Sequence, residues 1–242
     1  IPMDTDASGV PCALFRFHCH NPTDESVQLT LYASANNPIG DSGNCNTELQ
    51  LPGLNGITFT NEKLSADDPD SGSVVLATPW EDCSLCAHWP VIRNYDTRAF
   101  WQFARQHDRL KTFEGTHPTA ALALHTALSP GASAMLPVWI TWCFPVSAYC
   151  LGRSDFKGDA NRATQHYTWP TWYSRRFPDA PAVAAHLRDH EERLYVGSCR
   201  FADALFDTTL PPEITEAVST SLAALRSPTA FFLEDGTWYG YE

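Results

Sequence analysis

Apolar and polar residues alternate in short runs near the start of the chain. Residues 12–20 alternate in this way, and Val27, Leu29, Leu31 and Ala33 alternate with polar or smaller side chains in the next run. A period of two is typical of strands that bury one face. Residues 21–24, Asn-Pro-Thr-Asp, have the composition of a turn. The pattern therefore predicts two consecutive strands joined by this turn.

The same kind of pattern continues to about residue 144. A polar loop rich in Asn, Asp, Gly and Ser is predicted at 35–47, and short apolar runs follow at 57–60 and 74–77. Two longer strands are predicted at 120–128 and 134–144, joined by Ser-Pro-Gly. One face of the second of these should be apolar, with Leu136, Val138, Ile140, Trp142 and Phe144. Many short strands without a helical period predict a β-sandwich over residues 1–150.

The period changes after residue 178, where helices are predicted. Asp179 is suited to cap a helix whose apolar positions, Val183, Leu187 and Leu194, follow a 3.6-residue spacing. A second helix should begin at the Pro-Pro step 211–212 and present Ile214, Val218, Leu222 and Leu225. Residues 151–178 are irregular and polar, which is typical of a linker. The predicted organisation is a mostly β chain: sandwich 1–150, linker 151–178 and helical part 179–242.

The aromatic residues of the linker, Trp169, Trp172 and Tyr173, allow two interpretations. They could wrap the linker onto the next domain, or line the rim of an active site.

The last stretch predicts a hairpin that ends on a carboxylate. A short apolar strand at 230–233 is followed by Asp235-Gly236, which favours a tight turn, and then by Trp238, Tyr239, Tyr241 and Glu242. Aromatic rings cover the C–H surface of a sugar, and a carboxylate meets its hydroxyls or its anomeric carbon. From composition alone, a solvated strand end is the favoured interpretation.

Charge argues against a nucleic-acid partner, and hydropathy gives no support to membrane association. The formal net charge of −12 argues against nucleic acid, since no basic patch is present to displace counterions from phosphates. No apolar run approaches the roughly 20 residues that a membrane helix needs, so membrane association has no support in the sequence. A neutral substrate such as a sugar is compatible with this charge.

The cysteines raise the question of a metal site. Cys83 and Cys86, together with His88, have the spacing of zinc ligands, but a second pair at similar spacing is absent. Cys19 with its flanking histidines is the one conceivable partner cluster, although neighbouring residues of a strand point to opposite faces. Isolated or disulfide-bonded loop cysteines are therefore expected, and no metal or cofactor is predicted.

Three segments resemble a known family. They are residues 204–212 (ALFDTTLPP), 225–229 (LRSPT) and 233–242 (LEDGTWYGYE). Together they resemble the opening of the catalytic domain of glycoside hydrolase family 116, which contains β-glucosidases, β-xylosidases and non-lysosomal glucosylceramidases. The resemblance implies that the helical part begins an (α/α)6 barrel. It also implies that Glu242 is the catalytic nucleophile, with Trp238, Tyr239 and Tyr241 near the sugar.

The activity implied by this resemblance is retaining hydrolysis of a β-linked glucoside or glycolipid. In the family, an aspartate farther along the barrel is the acid/base, and no residue here matches its motif. Segments like the start of this chain follow earlier strands in the family. The chain is therefore expected to be a piece of a longer protein, to lack N-terminal strands of its sandwich, to need the rest of its own catalytic domain as a partner, and to be inactive alone.

Two alternatives remain open at the level of sequence. The chain could be a non-catalytic carbohydrate-binding or assembly module built on the sandwich, or a metal-binding protein that uses the cysteine clusters around Cys83 and Cys19.

Overall fold

Two antiparallel sheets form the body of the chain in a computed structural model that describes residues 1, 3–90, 97–148, 168–222, 224 and 230–240. A short helix, α1 (Thr5–Ser8), precedes the strands. The strands are β1 (Cys12–His20), β2 (Val27–Asn36), β3 (Asn44–Glu48), β4 (Asn55–Asn61), β5 (Ser73–Thr78), β6 (Cys83–Cys86), β7 (Thr119–Leu128) and β8 (Ser133–Cys143). The strand orders are β1-β8-β5-β4-β3 in the larger sheet and β2-β7-β6 in the smaller sheet.

The predicted sandwich is confirmed by the core between the two sheets. Ile57, Phe59 and Leu76 from the larger sheet pack with Leu122 and Leu124 from the smaller one, and all five are at most 2% exposed. The predicted apolar face of β8 is confirmed as well. Leu136 and Val138 are buried in this core, and Ile140, Trp142 and Phe144 pack against it.

The predicted turn at 129–131 joins β7 to β8. Gly131 has a φ of 69°, a left-handed conformation that glycine adopts without steric cost. The side-chain NH₂ of Asn21, in the predicted turn between β1 and β2, donates to the carbonyl oxygens of Leu128 (2.9 Å) and Ser129 (3.2 Å). The two predicted turns therefore hold each other at one end of the sandwich.

One helix was missed within the region predicted to be all strand. Helix α2 (Thr97–Gln106) packs on the outer face of the smaller sheet. Phe100 is 3% exposed and shares a cluster with Ala121 and Ala123 of β7, and Phe103 and Ala104 pack against that cluster. Apolar residues at positions i, i+3 and i+4 are the signal of such a helix. The prediction of an uninterrupted series of strands was therefore wrong here.

Helix α3 (Ala180–Phe206) covers the outer face of the larger sheet and begins where the sequence predicts. The Asp179 side chain caps it by accepting a 2.8 Å hydrogen bond from the backbone N–H of Ala182. Val183, Leu187 and Leu194 are all buried, as their spacing predicts. Within the described residues the layers are therefore α3, the larger sheet, the smaller sheet and α2.

Polar contacts also fix α3 to the sheet. The hydroxyl of Thr141 donates to the carbonyl oxygen of Ala180 at 2.9 Å, and the N–H of Ala180 donates to the hydroxyl of Ser73 at 2.8 Å. Farther along, Arg16 of β1 pairs with Glu191 and lies 3.5 Å from the centre of the Tyr195 ring. Buried groups that are paired in this way avoid the cost of an unsatisfied hydrogen bond.

The remaining elements are short and follow the sandwich. They are β9 (Val146–Ala148), β10 (Thr168–Pro170), a 3₁₀ turn (Trp172–Arg175), α4 (Pro212–Leu222), β11 (Ala230–Phe232) and β12 (Trp238–Gly240). Most of the predicted linker, residues 151–167, lies outside the described residues. No helix in the described part of the chain is long and apolar enough to cross a membrane.

Candidate active site

The C-terminal hairpin forms as predicted. Phe231 pairs with Tyr239, and Phe232 pairs with Trp238, in an antiparallel β11–β12 ladder. The turn is closed by a 3.0 Å hydrogen bond from the N–H of Leu233 to the carbonyl oxygen of Thr237. Gly236 lies in this turn with a φ of 87°. The backbone of the predicted hairpin is therefore described up to Gly240.

Asp235 has a local structural role. Its carboxylate accepts a 2.8 Å hydrogen bond from the N–H of Thr237, and this bond to the backbone is the main reason why the pKa of Asp235 lies below its usual value. A carboxylate that is occupied by its own turn is not a candidate nucleophile.

The hairpin is anchored to the end of the linker by backbone hydrogen bonds. The N–H of Glu234 donates to the carbonyl oxygen of Pro170 at 3.0 Å, and Thr171 forms a β-bridge with Leu233. The guanidinium of Arg175 donates to the carbonyl oxygen of Glu234, also at 3.0 Å. These contacts join residues about 60 positions apart, so no local sequence pattern predicts them.

Aromatic packing supports the same anchor. The centre of the Trp172 ring lies 4.4 Å from that of Phe232, and the Arg175 guanidinium lies 4.9 Å from the Trp172 ring centre. Phe232 in turn lies 5.7 Å from Trp238, which is 51% exposed. Trp172 therefore packs against the hairpin, and Trp238 presents an open aromatic surface.

Tyr173 matches the packing interpretation of the linker. Its hydroxyl donates to the carbonyl oxygen of Phe144 at 2.9 Å and accepts from the N–H of Phe144 at 3.2 Å. Burial raises the pKa of this phenol. Tyr173 thus ties the linker to the end of β8. The side chain of Trp169 and that of Tyr239 are not described, and Tyr241 and Glu242 lie outside the described residues.

Cys83 and Cys86, which have the spacing of zinc ligands, do not lie in a loop. Cys83–Cys86 is the edge strand β6, which pairs with β7, so the expectation of loop cysteines was wrong for these two. Leu85, which lies between the two cysteines, packs against the core between the sheets, and this explains why the segment forms a strand. Cys86 is fully buried, which raises the pKa of its thiol to about 11. The described residues contain no group of three or more potential ligands that could hold a metal ion.

We expect loss of the Trp172 ring to loosen the hairpin. In Trp172→Ala, amide hydrogen exchange of residues 230–240 should accelerate at least about tenfold, because removal of a packed ring leaves a void beside Phe232. The exchange of β7, in the sandwich, should not change. Trp101→Ala, which removes an exposed indole elsewhere, is the matched control. Unchanged exchange in the hairpin of Trp172→Ala would show that the anchor does not depend on this ring.

The sequence also matches a known protein family. Residues 1–194 match the family model described as beta-glucosidase 2, glycosyl-hydrolase family 116 N-term. This match covers most of the 242 residues. The chain belongs to glycosyl hydrolase family 116. No curated protein matches the chain.

The family 116 match includes the sandwich and the part of α3 that packs on it, up to Leu194. It confirms the family that the sequence motifs indicated, and it makes the chain part of a glycosidase. Residues 195–242, with α4 and the hairpin, lie beyond the matched range. The assignment of Glu242, Trp238, Tyr239 and Tyr241 to a substrate site therefore remains a prediction.

Proposed function

We propose that this chain is part of a retaining glycosidase that hydrolyses β-glucosides, with Glu242 as its nucleophile. We refer to the longer protein that contains this chain as the parent enzyme. The observation that carries the proposal is the anchored hairpin. A family 116 sandwich is followed by a hairpin that contacts Pro170, Thr171 and Arg175. In the sequence, Glu242 comes two residues after Gly240, the last residue of β12.

An anchored backbone matters for this chemistry. A nucleophilic carboxylate must be held close to the anomeric carbon, and small displacements of a reacting group lower the rate strongly. Three independent contacts fix the turn of the hairpin: the Glu234 N–H to Pro170, Arg175 to the Glu234 carbonyl, and Trp172 against Phe232. Trp238, half exposed on the same hairpin, offers an aromatic surface for the sugar ring.

The reaction needs a second carboxyl group. In retaining enzymes an acid/base lies about 5 to 5.5 Å from the nucleophile, protonates the leaving oxygen and then activates water. The family's aspartate has no counterpart among residues 1–242. We therefore expect the chain alone to be inactive. The division into sandwich, linker and the start of an (α/α)6 barrel is part of the same proposal.

The partner of the helical part would be the rest of its own catalytic domain. Ile214, Val218 and Leu222 form one stripe along α4, and each is at least 37% exposed. Phe206 and Leu210, which precede α4, are more than half exposed. Apolar stripes of this kind are normally buried against another helix. In the parent enzyme they would pack against later helices of the barrel.

The stereochemistry of the product tests the proposed reaction. The parent enzyme should release β-glucose first from p-nitrophenyl β-glucoside, because two inversions at the anomeric carbon retain its configuration. Proton NMR of the anomeric signals during the first minutes measures this. Release of α-glucose first would contradict a covalent nucleophile, and a lack of any hydrolysis would contradict the assignment of the substrate. Glucosylceramide, tested in parallel, decides between a soluble glucoside and a glycolipid.

A further inference from the structure

A cleft of about 310 Å³ lies on the outer side of the smaller sheet, on the opposite face of the sandwich from α3. Its floor is the end of β2, at Ser34 and Asn36, together with Thr119 at the start of β7. Thr97, the first residue of α2, and His117 complete the polar part of the lining. The volume is at the lower end of the range for small-molecule sites.

Hydrogen bonds within the cleft fix its polar groups. The N–H of Thr119 donates to Nδ1 of His117 at 3.0 Å, so the proton of the neutral imidazole lies on Nε2. Burial lowers the pKa of His117, which favours this neutral form. The hydroxyl of Thr119 donates to the side-chain oxygen of Asn36, which holds that amide in one orientation with its NH₂ group on the other side.

The polar groups of the lining suit a hydroxyl-rich ligand. The described lining residues include the hydroxyls of Ser34 and Thr97 and the amide of Asn36. Such groups exchange hydrogen bonds with sugar hydroxyls.

An exposed aromatic residue lies one helical turn from Thr97 of the lining. Trp101 lies four residues after Thr97, on the same side of α2, and is 46% exposed. Edge-to-face contacts hold its ring, at 5.6 Å from Tyr32 and 5.4 Å from Phe100. Tyr32 shares a strand face with Ser34, which places Trp101 beside the cleft.

A second aromatic group makes the wall of the cleft rigid. Trp89 stacks on Phe100 at 4.4 Å and on His117 at 6.4 Å. Its ring is thus held between two others, and the exposed Trp101 is the ring that a ligand would reach. A positioned, half-exposed indole next to neutral hydrogen-bonding groups is suited to a sugar, whose C–H face packs on the ring while its hydroxyls are bonded.

We propose that this cleft is a second glycan-binding site, separate from the hairpin, which holds a neutral oligosaccharide by Trp101 and Asn36. The choice of a β-linked glucose oligomer as ligand rests on the proposed function, and the sugar class rests on the lining alone. Such a site would keep a polymeric or clustered substrate close to the enzyme without taking part in hydrolysis.

The test is calorimetric titration of chain 1–242 with cellotriose. Binding should weaken about tenfold in Trp101→Ala, as loss of one aromatic stacking contact predicts. Asn36→Ala should weaken binding to a similar extent. Phe201→Ala, which removes a 37% exposed ring on α3, on the opposite face of the sandwich, is the matched control and should leave the affinity within about twofold, since independent sites act additively. Trp238→Ala is titrated in parallel to detect binding at the hairpin. Circular dichroism of each variant verifies that the fold is kept.

Three results would overturn the proposed site: no binding of cellotriose at millimolar concentrations, equal binding by the Trp101→Ala and Asn36→Ala variants, or loss of binding in Trp238→Ala only. The outcome is independent of catalysis. If the parent enzyme fails to hydrolyse β-glucosides while cellotriose still binds at Trp101, the proposed function fails and the cleft remains a glycan site. If hydrolysis holds and Trp101→Ala binds normally, the cleft proposal alone fails.

Discussion

Replacing Glu242 with glutamine is expected to lower kcat of the parent enzyme for a β-glucoside by at least roughly 10³-fold, as for other enzymes that lose their nucleophile. The glutamine amide has nearly the same shape as the carboxylate but does not form the glycosyl-enzyme intermediate. Because the side chain keeps its size, substrate binding should change little, and the loss should lie in kcat. Steady-state hydrolysis of p-nitrophenyl β-glucoside measures both parameters.

Glu234 provides the matched control for this experiment. It is an exposed carboxylate on the same hairpin, and the anchor uses its backbone N–H and carbonyl oxygen. Glu234→Gln keeps that backbone and should retain activity within about twofold, as expected for a surface substitution. An equal loss in both variants would mean that charge or stability of the hairpin, and not a nucleophile at Glu242, determines activity.

Lysine at both Ile214 and Val218 should destabilise the parent enzyme but not chain 1–242. In the chain these side chains are 47% and 46% exposed, so the free energy of unfolding should change by no more than about 0.5 kcal/mol. In the parent enzyme the proposed barrel would bury both positions, and the two buried charges should cost roughly 3–5 kcal/mol or more. Urea unfolding of the two proteins, each with and without the substitutions, measures the difference.

Glu216→Lys adds a cation to the same helix at an exposed position off the apolar stripe. It should be tolerated in both proteins. If the double lysine variant of the parent enzyme unfolds at the same urea concentration as the unmodified parent, the stripe on α4 faces solvent there too, and the proposed packing is wrong.

Much of the fold could be predicted because its signals are local. The alternation in β2 and β8, the turn at Gly131 and the Asp179 cap each depend on residues that are near in sequence. Helix α2 was missed because its apolar positions, Phe100, Phe103 and Ala104, span only about one turn between polar segments. A short amphipathic helix of this kind gains its stability from tertiary packing, here on Ala121 and Ala123.

The candidate sites show the same limit. The Asp-Gly turn predicted the hairpin, but its anchor joins Arg175 to Glu234 across 59 positions. The cleft likewise brings together Asn36, Thr97 and His117 from three separate segments. Contacts between distant segments are set by the packing of whole elements, which residue periodicity does not encode.

A covalent bond between Glu242 and the sugar can be detected by mass spectrometry. The parent enzyme is incubated with 2,4-dinitrophenyl 2-deoxy-2-fluoro-β-glucoside, in which the fluorine slows breakdown of the intermediate, and its peptides are analysed by mass spectrometry. We expect one fluoroglucosyl group on the peptide that contains Glu242, with fragment ions that place it on that side chain. A label on any other carboxylate, or inactivation of Glu242→Gln at the same rate, would contradict it.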